Sequence, residues 1–246
     1  MKNTYLKILI IYALFSASPC LVFAKSCVWN LKDGTTIEAE LVTVMSEKVV
    51  FKTVKGKVVK LPLDQFSDES VLRIELERPP TLDIEFINIR SKVNFPAGGK
   101  NATRSPEIRA HYGVRIKQVN VGDYGHELNV DLFVIGSERL GEKYILLDRQ
   151  STAFTLTDEN KRKFEFRSER VVALRNFVCG QDSKRGERYY GYLAIVKDVR
   201  GETIAVGTSH DWLYENIENL SKRAVGNYMD DTFARVYPTR PPPVTQ

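Results

Sequence analysis

Histidine and cysteine are scarce, at three of each in 246 residues. The histidines His111, His126 and His210 stand far apart, and none has the second ligand that zinc spacing requires. Asp123 and His126 share the stretch GDYGHE, where turn chemistry competes with an acid–base or metal role. Gly98-Gly99 and Gly180 lack the spacing of a phosphate-cradling loop. Glu165 and Glu169 read as strand and turn positions rather than a glycosidase pair. No metal, cofactor or catalytic constellation is expected, and the chain is read as non-enzymatic. A strong charge imbalance is also missing. The formal net charge is +5. Without Lys2 and Lys7 it falls to +3, from 34 basic and 31 acidic residues. So mild and interspersed a charge calls for no nucleic-acid partner. Beyond residue 24 no apolar run is long enough to span a membrane.

The first 24 residues are different. Lys2 and Lys7 precede the run ILIIYALFSASPCLVFA, and Val22 and Ala24 stand three residues and one residue before a break at Lys25. This pattern predicts a signal peptide over 1–24, a periplasmic or secreted protein and no membrane span after cleavage. An uncleaved anchor is the competing reading. Removal of the signal leaves Cys27 and Cys179. An oxidising compartment permits a bridge between them, and two buried thiols are the alternative.

Residues 25–78 carry a dense hairpin pattern. Asp33-Gly34 and Lys55-Gly56 are turn signals, and Ile37, Ala39 and Leu41 alternate with Glu38 and Glu40. Val49 and Phe51, then Val59, Leu61 and Leu63, continue as strands, with Pro62 marking an edge or strand end. Ser67 suits a helix cap ahead of Asp68 and Glu69, with Val71, Leu72, Ile74 and Leu76 on the apolar side. Pro79-Pro80 ends that helix, with a linker over 79–81. Trp29, "DGTTIEAELV", a second hairpin around "KGK", and "KLPLDQFSDES" together resemble the Sla-one homology domain, first type, over residues 26–79. Phe66-Ser67-Asp68-Glu69 is a small departure from that family's helix start. The resemblance implies a Src-homology-3-like barrel and a partner that is a protein or peptide, with self-association among the family's properties. The domain in the fungal endocytic adaptor that names the family reads short sorting peptides, and the family includes adaptor and cytoskeletal-protein-binding members. Lys52, Lys57 and Lys60 form a basic strip suited to an acidic peptide, and equally a solvated face that discourages edge pairing. Trp29 is either a groove aromatic or a core anchor.

From Thr81 the pattern stays β. Leu82, Ile84 and Phe86 alternate before the phase slips to Ile87 and Ile89, as a bulge would cause. Residues 95–107 read as a loop. Leu128, Val130, Leu132 and Val134 alternate cleanly, and further short strands run to Val206. The pattern predicts an antiparallel β-sandwich with a C-terminal helix over 82–224. Asp211 would cap the helix, and Leu213, Ile217 and Leu220 would form its apolar face. Residues 225–246 read as a mobile, proline-rich tail. Period-two alternation puts Tyr190 and Tyr192 on one strand face, with Tyr189 opposite, as a stacking platform or as core with hydroxyls at the rim. The reading is a mainly β, exported binding or adaptor protein that uses its first barrel. An envelope polysaccharide-binding protein using the sandwich tyrosines is the alternative, and a hydrolase with a site assembled from scattered residues is the second.

Overall fold

The computed structural model describes residues 26–45, 47–93, 107–120, 124–174, 176–179 and 183–239; for 176–179 and 183–185 it describes the backbone alone. The fold is mainly β, in two compact units that meet in sequence between Ile74 and Glu75. That boundary lies inside a helix, before the expected linker at 79–81. Among the described residues no helix is long and apolar enough to cross a membrane.

The first unit is one curled antiparallel sheet of four strands in sequential order: β1 (Cys27–Asn30), β2 (Thr36–Met45), β3 (Lys48–Thr53) and β4 (Val58–Pro62). Gly34 and Gly56 turn its hairpins at φ 83° and 77°, backbone that only glycine adopts cheaply. A bulge at Val42 bends β2. After β4 a 3-10 turn, Leu63–Gln65, returns the chain to β1. There the Ser67 amide donates to the Asn30 carbonyl at 3.0 Å and the Lys32 amide to the Gln65 carbonyl at 2.9 Å. Helix α1 (Asp68–Leu76) starts where the Ser67 hydroxyl accepts from the Ser70 amide, as the sequence predicts. Trp29, Phe51 and Phe66 pack ring against tilted ring at 5.2 and 5.5 Å, with Val49 and Ile74, to form the core of this unit. Leu72 points outward, away from the expected apolar side of α1.

The second unit holds two sheets. One has the order β10-β6-β5, from β5 (Leu82–Val93), β6 (Glu107–Gln118) and β10 (Val172–Leu174), with β9 (Lys163–Arg167) also on β6. The other has the order β11-β12-β7-β8-β14-β15, with β13 also on β12. Its long central strands are β7 (Tyr124–Glu138), β8 (Tyr144–Leu156) and β12 (Ser183–Lys197). The short strands are β11 (Asn176–Cys179), β13 (Thr203–Thr208), β14 (Tyr228–Met229) and β15 (Arg235–Val236). Between the sheets lies a large core that includes Tyr112, Val114 and Ile116 of β6 and Leu128, Val130, Leu132 and Val134 of β7. The last four are the alternating positions that the sequence marks. The opposite residues of the same strand, Phe133 and Ile135, are buried too. They join Leu193, Leu213, Leu220, Met229 and Phe233 in a second core on the far face of that sheet.

Three expectations are corrected. β5 pairs with β6 through twelve residues without a register shift, so Ile87 and Ile89 lie on its outer face and no bulge exists. The C-terminal helix is two short pieces, α2 (Trp212–Glu215) and α3 (Ile217–Ser221). They are separated at Asn216, and Asp211 makes no side-chain cap. Residues 225–239 are no loose tail: β14 pairs with β8, and Met229 and Phe233 are fully buried. Burial of an apolar side chain is worth about 1.5–3 kcal/mol, enough to fasten so short a segment.

Candidate functional site

The basic strip of the first unit becomes a continuous face. In the β3–β4 pair Lys48 lies opposite Pro62, Val50 opposite Lys60 and Lys52 opposite Val58. Cross-strand partners share a face, and so do residues two apart on a strand. Lys48, Lys52 and Lys60 therefore project together from the side opposite Phe51, and all three are exposed. Lys48 and Lys52 stand about 13 Å apart along the strand. Lys57 is exposed in the loop that closes this hairpin, where its carbonyl accepts from the Thr53 amide. Glu40 of β2 lies opposite Lys52 and offsets part of that charge.

At the Lys48–Pro62 end the face opens into a groove of about 500 Å³ lined by Lys32, Glu47, Lys48, Pro62, Leu63, Asp64 and Val71. The 3-10 turn builds its floor, because the Leu63 amide donates to the Glu47 carbonyl at 2.7 Å. Sequence reasoning missed this groove. Lys48 was visible as the next same-face residue after Lys52, but Lys32 and Val71 reach the rim only through tertiary folding. Trp29 is 1% exposed, and its indole donates to the Ala39 carbonyl at 2.9 Å. The groove-aromatic reading of Trp29 is therefore corrected: its surface is used up inside the core, with the Arg73 guanidinium 5.1 Å from the ring centre.

Tyr190 and Tyr192 of β12 do not share a face. Tyr189 pairs with Gly136 and Gly191 with Ile135, so Tyr190 sits in a bulge and the alternation is broken. Tyr189 and Tyr192 both turn into the sandwich and stack on Phe86 at 5.6 and 4.3 Å. Tyr190 faces the other way, against Tyr144, His210 and Trp212. The sugar platform expected of Tyr190 with Tyr192 is therefore absent.

Tyr190 instead borders a cleft of about 770 Å³ at one end of the seven-stranded sheet, whose lining includes Ser137, Glu142, Lys143, Tyr144, Arg188 and Asp231. The Tyr144 and Tyr190 hydroxyls share a hydrogen bond, and Tyr190 accepts from the Trp212 indole at 3.3 Å. Burial, with that hydrogen bond and the nearby Asp231 and Glu142 charges, pushes the Tyr144 phenol up to about 12. The segment 237–239 forms a wall. Glu138, 8% exposed, accepts from the Thr239 amide and hydroxyl at 2.8 and 2.6 Å, and Lys143 donates to the Tyr237 carbonyl at 2.6 Å.

Other candidates serve the fold. His126 meets Glu75 at 2.8 Å, while Asp123 lies outside the described residues. Arg200 joins the buried Asp198, Glu202 and Glu77, which fixes the turn at 198–201. Cys27 accepts from Arg73 at 2.9 Å, and the Cys179 side chain, with the expected bridge, lies outside the described residues. Among the described residues no three His, Cys, Asp or Glu side chains come together as a metal site. No family model, curated protein or solved structure matches the chain.

Proposed function

We propose that the chain is an exported, non-enzymatic binding protein whose first unit holds an acidic, partly apolar peptide. The peptide runs extended over the outer face of β3 and β4. An apolar side chain enters the groove beside Pro62, Leu63 and Val71, and acidic groups meet Lys48, Lys52, Lys57 and Lys60. The observation that carries this reading is the continuity of the lysine face with the groove. The resemblance to a peptide-reading barrel family points the same way. Exposed lysines contribute little each, so affinity comes from the apolar contact while charge sets orientation and rate. A dissociation constant of about micromolar or weaker fits so small an interface.

The test is capture from the periplasmic fraction of the host. The triple variant Lys52→Glu, Lys57→Glu, Lys60→Glu should lose its partner and keep its thermal midpoint, since all three side chains are exposed. Capture that survives the triple change, or that maps to residues 81–246, sinks the reading. N-terminal sequencing of the host protein checks export: the chain should begin near Lys25.

A further inference from the structure

The cleft of the second unit is furnished for recognition at both signs of charge. Arg188 is held in place by its Nε, which donates to the Ser137 hydroxyl at 3.0 Å, and Ser137 is itself only 6% exposed. The terminal nitrogens of Arg188 have no hydrogen-bond partner among the described residues, so a planar fork is left for a carboxylate. Glu142 and Asp231 are exposed, line the same cleft, and make no hydrogen bond or ion pair among the described residues. Tyr190 accepts from the Trp212 indole at 3.3 Å, which ties the cleft to that side chain. Lys143 is occupied by the Tyr237 carbonyl and acts as wall. The volume, about 770 Å³, falls in the range of small-molecule pockets.

A ligand of one charge would meet a like charge on one side of this cleft. A neutral sugar would seek a free aromatic face, yet Tyr190 is stacked on His210 at 4.6 Å and Tyr144 lies 5.0 Å from Trp212. We propose that the cleft binds a zwitterionic ligand of peptide class, with its carboxylate on the Arg188 fork and its ammonium between Glu142 and Asp231. This site is independent of the peptide face in the first unit.

The chain has two tryptophans, so its two indole N–H resonances report the two units separately. Trp212 donates to Tyr190 at the cleft, and Trp29 donates inside the core of the first unit. The full chain is titrated with trialanine, N-acetyl-trialanine, trialanine amide and maltotriose. Trialanine should shift the Trp212 resonance with a dissociation constant of about 1 mM or below, and leave Trp29 in place. Each single-charge analogue should bind about tenfold more weakly or worse, and maltotriose should not register. Arg188→Ala should weaken trialanine about tenfold or more, and Arg188→Lys should recover part of that loss because it restores charge without the fork. Arg188 is exposed, so neither variant threatens the fold. The proposal is overturned if trialanine leaves Trp212 unmoved, if a capped analogue or maltotriose matches it, or if Arg188→Ala binds equally well. None of these outcomes bears on the lysine face, whose loss is read by partner capture.

Discussion

Tyr112 is fully buried between the two sheets of the second unit, and its hydroxyl has no hydrogen-bond partner among the described residues. One carboxylate oxygen of the buried Asp148 is in the same condition. The other accepts from the Arg149 amide at 3.0 Å and from Gln150 at 3.1 Å. Burial pushes the Tyr112 phenol up to about 12, with Asp148 adding to the shift and Arg90 opposing it. An unmet buried hydroxyl costs about 1–3 kcal/mol, so Tyr112→Phe should leave stability at neutral pH unchanged or raise it within that range. The phenol ionises near pH 10 in the unfolded chain. The folded state prefers the neutral form, so its contribution is complete below pH ~10 and disappears as pH rises through about 12. Tyr112→Phe should therefore also lessen the alkaline loss of stability in that window, leaving the parts due to Tyr124, Tyr144, Tyr189, Tyr192 and Tyr228, whose phenols burial also raises. Urea midpoints measured from pH 8 to 11.5 decide both points. A loss of more than about 1 kcal/mol at neutral pH would mean that the hydroxyl has a partner.

Elements differ in how well the sequence announces them. Alternation on β2, β3 and β7 and the Ser67 cap were legible because each is a local pattern, although β7 also buries Phe133 and Ile135 on its far face. The bulge at Tyr190 was not. In Tyr189-Tyr190-Gly191-Tyr192 one extra residue leaves no mark on a period-two pattern, and only the pairing with Gly136 and Ile135 reveals it. β5 misled in the opposite sense: Ile87 and Ile89 imitate a phase slip because its outer face carries apolar residues, and Ile89 is 45% exposed. The cleft was equally hidden, since Ser137, Tyr144, Arg188 and Asp231 come from separate strands and a terminal segment. β6 offers a direct test of element packing. A Cβ on Gly113 would lie 2.2 Å from the Phe166 carbonyl oxygen and 3.0 Å from the Arg167 Cα, both backbone atoms of β9. Gly113→Ala must push the two strands apart and should cost about 1–3 kcal/mol or more. Amides along β9 should then exchange faster with solvent. Gly125→Ala is the control, since a Cβ there meets nothing within 4 Å. Equal midpoints for the two variants would refute the close approach of β6 and β9.

Each of the two units carries its own core and one of the two tryptophans. The first core is small and leans on three aromatic rings, with Phe51 between Trp29 at 5.2 Å and Phe66 at 5.5 Å. Removing the middle ring deprives both neighbours of their contact. Phe51→Ala should destabilise this unit by about 3–5 kcal/mol, a large share of what so small a domain has to lose. The second unit has two clusters of its own, and neither includes Phe51. Chemical denaturation followed through both indole resonances should therefore show the Trp29 transition move to lower urea while the Trp212 transition stays in place. The lysine face should fail with the first transition, because β3 and β4 hold its register. The Tyr190 cleft should persist until the second, because β7, β8 and β12 hold its walls. If both resonances shift together in Phe51→Ala, the chain unfolds as one cooperative body, and the assignment of recognition to two separate units loses its physical basis.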